Sequence, residues 1–350
     1  MNAGKEICIC GAGHQGLSMA AHLSLNGNKV KIWNRSYENI KKLDIDKRIY
    51  CDGVVNGIAS IEKVSTNIKD VISNFIMITT PSSAHRSIAR VLAPYVNSQM
   101  IIILNPGRTF GTIDFLEELK KCNVKELPQV AETQTIVYTC RKKTENSTTI
   151  FALKHNVKIA ASKRSNIHYI MDNIPECLKK YFVPVKSLLE TSFSNVGMVL
   201  HCSPVLMNIG WIESEKADFK YYYDGISKSV ARFLEKIDVE RCAVSKALGI
   251  ESETVEEWMK RTYNVRGDNL YECIRNNEPY REIDAPPKIE CRYILEDVPN
   301  GLVPIECLGK ELGIRTPCIS TIIDLANAVL EMDFRQIGRN ISKELIDKYV

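Results

Sequence analysis

Residues 199–211 read VLHCSPVLMNIGW, an apolar run of helix length that holds an imidazole at His201, a helix breaker at Pro204 and an amide at Asn208. The chemistry such a histidine offers is proton transfer near neutrality, where imidazole ordinarily titrates. A lone histidine in an apolar run is more often a core side chain with one backbone partner, so its meaning depends on the rest of the chain. Cys202 beside it is not a nucleophile–base pair, because adjacent helical side chains do not face each other. Residues 11–16 read GAGHQG and offer something different: a backbone that turns tightly and lets an anion approach.

These groups need elements to hold them. Residues 5–36, KEICICGAGHQGLSMAAHLSLNGNKVKIWNRS, predict a strand from about Glu6 to Cys10 and a helix carrying Leu17, Ala20, Ala21, Leu23 and Leu25. A stop at Asn26-Gly27-Asn28 and a second strand from Val30 to Trp33 follow. Strand, GxGxxG, helix and strand in that order make the dinucleotide-binding fingerprint of a Rossmann fold. Gly11 permits the tight turn, Gly13 the approach of a pyrophosphate and Gly16 the packing of helix on strand, with Ala12 between the first two. The amides around His14, Gln15 and Gly16 supply the anion site at the helix N-terminus. An NAD site usually ends the second strand with an acid for the ribose hydroxyls. Here that strand ends Asn34-Arg35-Ser36, with no carboxylate before Glu38. A guanidinium and a hydroxyl suit a 2′-phosphate, so the expected cofactor is NADP(H).

The alternation continues through FIMITTPSSAH, a helix marked by Ile88, Leu92 and Val96, the strand of MIIILNPGRTFGT, a helix from Ile113 to Lys120, and QVAETQTIVYTCR. The fold class is α/β: a doubly wound, mostly parallel sheet binding ligands at the carboxyl ends of its strands. Thr80, Pro81, Asn105 and Glu132 lie at such ends, Thr80 and Pro81 being candidates for the nicotinamide side. The charges of CRKK and KHNVKIAASKR flank apparent antiparallel strands and read as solvated edges. This dinucleotide-binding domain is expected over 1–184. A mostly helical catalytic and substrate domain is expected over 185–350, with RYILEDVP its clearest strand-like piece.

Totals narrow the function. A net charge of +4 on 350 residues is too small for a dedicated nucleic-acid binder and suits small anionic ligands. No apolar run reaches membrane-spanning length, and the N-terminus lacks the apolar core of a signal peptide. Twelve dispersed cysteines without a CxxC pair read as thiols of a reducing compartment. The expectation is a cytoplasmic protein with no metal, no nucleic acid and no membrane partner, its sequon at Asn146-Ser147-Thr148 fortuitous.

HCSPVLMNIGWIE and the later RYILEDVPNGLVPIECLGKELGIRTPCISTIIDLANAVL resemble the octopine/nopaline (opine) dehydrogenase family, and the likeness extends over nearly the whole chain because the Rossmann half fits too. The resemblance implies a catalytic dyad, a histidine in H-x-x-P-x-x-x-N and an aspartate just after a strand in an E-D-V-P context. By position these are His201 and Asp297. It also implies NADPH-dependent reductive condensation of an amino acid with a 2-keto acid such as pyruvate. The residues agree with it. His201 and Asn208, seven apart, would share a helix face. Pro204 cannot bond the carbonyl of Leu200 and so loosens the helix beside the imidazole. Asp297 would fix the tautomer of the ring, its rival role being a cap for the segment at Gly301. Asn208, Arg292 and Glu132 are substrate candidates. Arg108, Arg141 and Arg315 join Arg292 as possible carboxylate partners. Residues 216–281 are expected to shape the amine pocket. Rival readings are a ketopantoate reductase or glycerol-3-phosphate dehydrogenase type of enzyme, and a non-catalytic NADP sensor. A homodimer is expected by analogy with helical second domains.

Overall fold

The computed structural model describes residues 4–163, 165–215 and 218–350. The chain packs as two compact units. One comprises the residues up to Ser192 together with Lys348–Val350, the other Phe193–Asp347. Residues 185–192 and the last three, placed by sequence in the helical half, therefore pack with the first unit.

Among its described residues the first unit has twelve strands: β1 (Glu6–Cys10), β2 (Lys29–Trp33), β3 (Arg48–Gly53), β4 (Gly57–Ser60), β5 (Lys63–Ser65), β6 (Phe75–Ile78), β7 (Ile101–Leu104), β8 (Gln129–Thr133), β9 (Tyr138–Thr144), β10 (Ser147–Leu153), β11 (Val157–Ala161) and β12 (Phe182–Pro184). Eight form one sheet in the order β12-β11-β8-β7-β6-β1-β2-β5. The strands from β8 to β5 run parallel, whereas β11 is antiparallel to β8. Ile7 to Cys10, Ile76 to Ile78 and Ile102 to Leu104 are wholly buried. Such unbroken apolar strands are what a sheet covered on both faces requires. The chain passes from β1 to β2 in one direction and later from β6 to β8 in the other. The turn after β1 therefore sits at the topological switch point, where ligands bind such sheets.

A second sheet, β4-β3-β10-β9, joins the antiparallel strands expected between CRKK and KHNVKIAASKR to β3 and β4, which were not read from the sequence. It packs on the helix His14–Leu25, with Ser18 Oγ and Thr148 Oγ1 2.7 Å apart and His22 Nδ1 3.1 Å from the Tyr138 hydroxyl. Helix His85–Leu92 stops short of Val96.

Burial, with the nearby Lys180 charge, lowers the pKa of His22 to about 4. The unfolded chain, with an ordinary imidazole near 6.5, binds its proton first as pH falls. The stability associated with neutral His22 is thus complete above about pH 6.5 and is lost progressively toward pH 4, by about 2–3 kcal/mol. Urea unfolding at pH 7 and pH 4.5 checks this. His22→Gln should show a smaller fall than the natural chain, and an equal fall would exclude the assignment.

The second unit is helical among its described residues. Its centre is the helix Gly197–Met207, packed against Lys228–Ala247, Pro317–Leu330 and Arg292–Leu295. RYILEDVP, expected as a strand, is a helical turn over Arg292–Leu295 followed by a wider π-type turn over Val298–Leu302. A short apolar run carries no period that separates strand from helix. The helical form gains an Arg292–Glu296 ion pair at i,i+4 spacing, 2.7 Å. Pro299 and Pro304 cannot donate to the carbonyls of Leu295 and Asn300, which opens the ladder there. Gly301 lets this turn press on the histidine helix, since a Cβ there would lie 2.7 Å from Met198 Cβ.

Candidate active site

In the first unit the glycine turn is built for close packing from within. Gly11 has φ +115°, a conformation L side chains avoid, and its amide donates to the Trp33 carbonyl at 2.8 Å. A Cβ on Gly16 would stand 1.8 Å from the Gly11 carbonyl oxygen, so the helix can start against the strand only with glycine there. Thr79 Oγ1 donates to the Cys10 carbonyl at 3.1 Å. The Ala12 amide donates to Asn34 Oδ1 at 3.2 Å, and Asn34 Nδ2 donates to the Ser36 carbonyl at 2.8 Å. The residue where an acid is usual is therefore an amide that braces the turn. Arg35 and Ser36 are exposed, and Arg35 has no ion-pair partner among the described residues.

The turn fits a dinucleotide. A Cβ on Gly13 would meet nothing within 4 Å, and Gly13 itself is the N-cap of the helix His14–Leu25 and brings no side chain to it. The dipole of that helix end favours an anion. Gln15 Nε2 donates to the Tyr138 carbonyl at 3.2 Å, and His14 Nδ1 accepts from the Lys142 amide at 2.7 Å. Thr80 Oγ1 is buried without a hydrogen-bond partner among the described residues, whereas Pro81 is exposed. The strand ends predicted from sequence, 11–16, 34–36 and 80–81, are thus gathered on one edge of the sheet.

Lys142 corrects the reading of CRKK as solvated edge charge. Its Nζ donates to the Ala12 carbonyl at 3.1 Å and the Asn39 carbonyl at 3.3 Å.

In the second unit His201 and Asp297 meet. His201 Nδ1 and Asp297 Oδ2 are 2.8 Å apart, with the imidazole 16% exposed and the carboxylate 1%. With Nδ1 donating to the carboxylate, Nε2 is the nitrogen left to exchange a proton. The ring stacks on Tyr293, centroids 4.2 Å apart at 19°. Pro204 lies inside the helix, and the weakened ladder around it is completed from outside. The Tyr221 hydroxyl donates to the His201 carbonyl at 2.5 Å and approaches the Leu200 carbonyl at 3.4 Å. Burial holds the Tyr221 phenol well above its usual pKa, so it remains a donor. Asp297 precedes the π-type turn without capping it through its side chain. Its Oδ1 is buried with no partner among the described residues. A buried carboxylate with one oxygen idle costs stability. Tyr293 was missed, and Tyr221, which falls in the segment expected to shape the amine pocket, was not connected with His201, because nothing local in the sequence joins either to it.

The three substrate candidates are each engaged within their own unit. Buried Glu132 accepts from the Thr112 amide and the Thr191 hydroxyl at 2.7 Å and from the Ser192 hydroxyl at 3.2 Å. It anchors the helix Gly111–Lys121. Asn208 lies just past the end of its helix, φ −118°, rather than on one face with His201. Its Nδ2 donates to the carbonyls of Pro204 and Gly225 at 2.7 and 2.9 Å. Arg292 is held by Glu296. Of the other cations considered, Arg141 and Arg315 are exposed.

Comparison with known proteins adds the following. The alpha-helical domain of NAD/NADP octopine/nopaline dehydrogenase matches residues 184–330, and the N-terminus of NAD-dependent glycerol-3-phosphate dehydrogenase matches residues 6–131. An opine dehydrogenase from Arthrobacter sp. (strain 1C) is 33% identical over 344 residues, 97% of this chain and 94% of that protein. An octopine dehydrogenase in complex with NADH and agmatine superposes with a TM-score of 0.78 at 16% identity, covering 97% of this chain and 93% of that one. An NADP+-bound yersinopine dehydrogenase gives 0.77 at 13% identity, covering 99% and 96%.

Proposed function

Because this chain belongs to the octopine/nopaline dehydrogenase family, and so is an NAD(P)-dependent oxidoreductase acting on a CH–NH bond, we propose that it condenses an amino acid with a 2-keto acid such as pyruvate and reduces the product with NADPH to an N-(carboxyalkyl)amino acid. The observation that carries the reading is the 2.8 Å contact of His201 with a buried Asp297. Addition of an amine to a ketone and loss of water both require a proton to travel from nitrogen to oxygen. His201 Nε2 takes a proton from the attacking nitrogen and delivers it to the former carbonyl oxygen; with one further proton relayed from solvent that oxygen departs as water and leaves the protonated imine. Asp297 holds the ring in the tautomer that leaves Nε2 available and stabilises the imidazolium between the two transfers. Tyr293 and Tyr221 fix the ring plane and the backbone beneath it. When bound, the dinucleotide supplies the hydride that reduces the resulting imine.

The assay offers purified protein NADPH with pyruvate alone, an amino acid alone, and both. Oxidation only with the pair supports this reading, oxidation with the keto acid alone indicates a simple keto-acid reductase, and tight binding without turnover indicates a sensor. The reading of NADP(H) over NAD(H) rests on the braced amide at Asn34 and the unpaired Arg35. Arg35→Asp should shift the NADPH-to-NADH ratio of kcat/KM toward NADH by roughly 10- to 100-fold, since it exchanges a charge-assisted hydrogen bond for repulsion. An unchanged ratio would count against it. Twelve free thiols suit a cytoplasmic setting. A homodimer remains the expectation for light scattering.

A further inference from the structure

We infer that Lys142 is the second cation of the adenosine-side site, donating together with Arg35 to the 2′-phosphate of the dinucleotide. This rests on the NADP(H) reading above and adds a residue from outside the glycine fingerprint and its second strand.

The inference begins with strand alternation. Along β9 the side chains of Tyr138, Cys140 and Lys142 face the helix His14–Leu25. The Tyr138 hydroxyl contacts His22, Cys140 Sγ donates to the His14 carbonyl at 3.3 Å, and Lys142 Nζ reaches Ala12. Arg141 and Lys143 point to the opposite face. Both are exposed, and Lys143 pairs with Asp52 at 2.8 Å. Lys142 is the member of the row brought to the rim of the glycine turn.

Its partners define what it faces. Ala12 lies within the turn, and Asn39 lies in the segment that follows Asn34-Arg35-Ser36. The ammonium therefore bridges the two stretches of backbone between which the adenosine ribose of a dinucleotide lies. Two carbonyls take two of the three N–H groups and leave the third, with the whole charge, unmatched. Among the described residues no carboxylate lies within 4 Å of it, in contrast to Lys143. Burial lowers the pKa of Lys142, and the Glu145 charge opposes this in part. A dianionic phosphate would favour the charged form and take up the remaining donor. The amide of Lys142 also donates to His14 Nδ1, which holds the strand at this height on the helix.

The test is calorimetric titration of the full chain with adenosine 2′,5′-bisphosphate, 5′-AMP, NADPH and NADH. Lys142→Met should weaken the 2′-phosphorylated ligands roughly tenfold and leave 5′-AMP and NADH within about twofold. Lys142→Gln, which keeps an N–H donor for the two carbonyls, should give the same pattern, and Lys142→Arg should retain most of the affinity. Equal losses for both classes of ligand would mean that the amine only supports the turn, and would overturn the inference, as would no loss at all. If the natural chain itself fails to distinguish the bisphosphate from 5′-AMP, the NADP(H) reading falls and this inference with it. If the natural chain distinguishes them and Arg35→Asp removes the distinction while the Lys142 variants do not, only the role of Lys142 falls.

Discussion

His201→Asn is expected to lower kcat by roughly 100- to 10,000-fold, the usual contribution of a placed acid–base group, while the affinity for NADPH stays as it is. The asparagine amide can still donate to Asp297, so the buried carboxylate keeps its partner and the helix Gly197–Met207 keeps its packing. What disappears is the nitrogen that carries a proton from amine to oxygen. The cofactor side is untouched, because the glycine turn and its braces are made from the first unit's own residues. Turnover with the pair of substrates, alongside fluorescence titration of NADPH, reads both quantities. Undiminished turnover would remove the proposed mechanism. Loss of NADPH affinity in parallel would mean that the variant has disturbed more than proton transfer.

Asp297→Asn is the second large effect, and its sign differs between function and stability. An amide can no longer balance an imidazolium, and it can present its NH2 to the ring and reverse the tautomer. A fall in kcat of roughly 100- to 10,000-fold follows, by analogy with other histidine–aspartate pairs. Stability should hold or rise by up to about 1 kcal/mol, since the substitution removes a buried charge of which Oδ1 has no partner among the described residues. Thermal melts and kcat/KM on one preparation separate the alternatives. A loss of several kcal/mol of stability, with activity lowered only as far as the folded fraction, would make the pair a structural one. Retained stability with lost turnover would place Asp297 in the chemistry.

Much of the first unit was legible in advance because its signals are local. Continuous apolar strands, glycines at fixed spacing and an Asn-Gly-Asn stop act over a few residues, and β1, the helix His14–Leu25 and β2 follow from them. Less legible was the second sheet, because β3 and β10 pair across about a hundred positions. Nothing in the string CRKK distinguishes its middle lysine from its neighbours. The strand expected at RYILEDVP failed for a related reason: four apolar or aromatic residues do not define a period, and the segment forms a helical turn with an Arg292–Glu296 ion pair followed by a π-type turn.

The site divides in the same way. Residue order was enough to show the glycine turn, the absence of an acid at its second strand and, through family likeness, the two residues to watch. Packing alone brings His201 and Asp297 together across 96 positions, lays Tyr293 on the ring and carries Lys142 to the turn. Packing likewise occupies Asn208, Glu132 and Arg292 with their own neighbours. Sequence encodes conformational preference over one turn or one strand, whereas the partner a polar side chain finds is fixed by how distant segments pack.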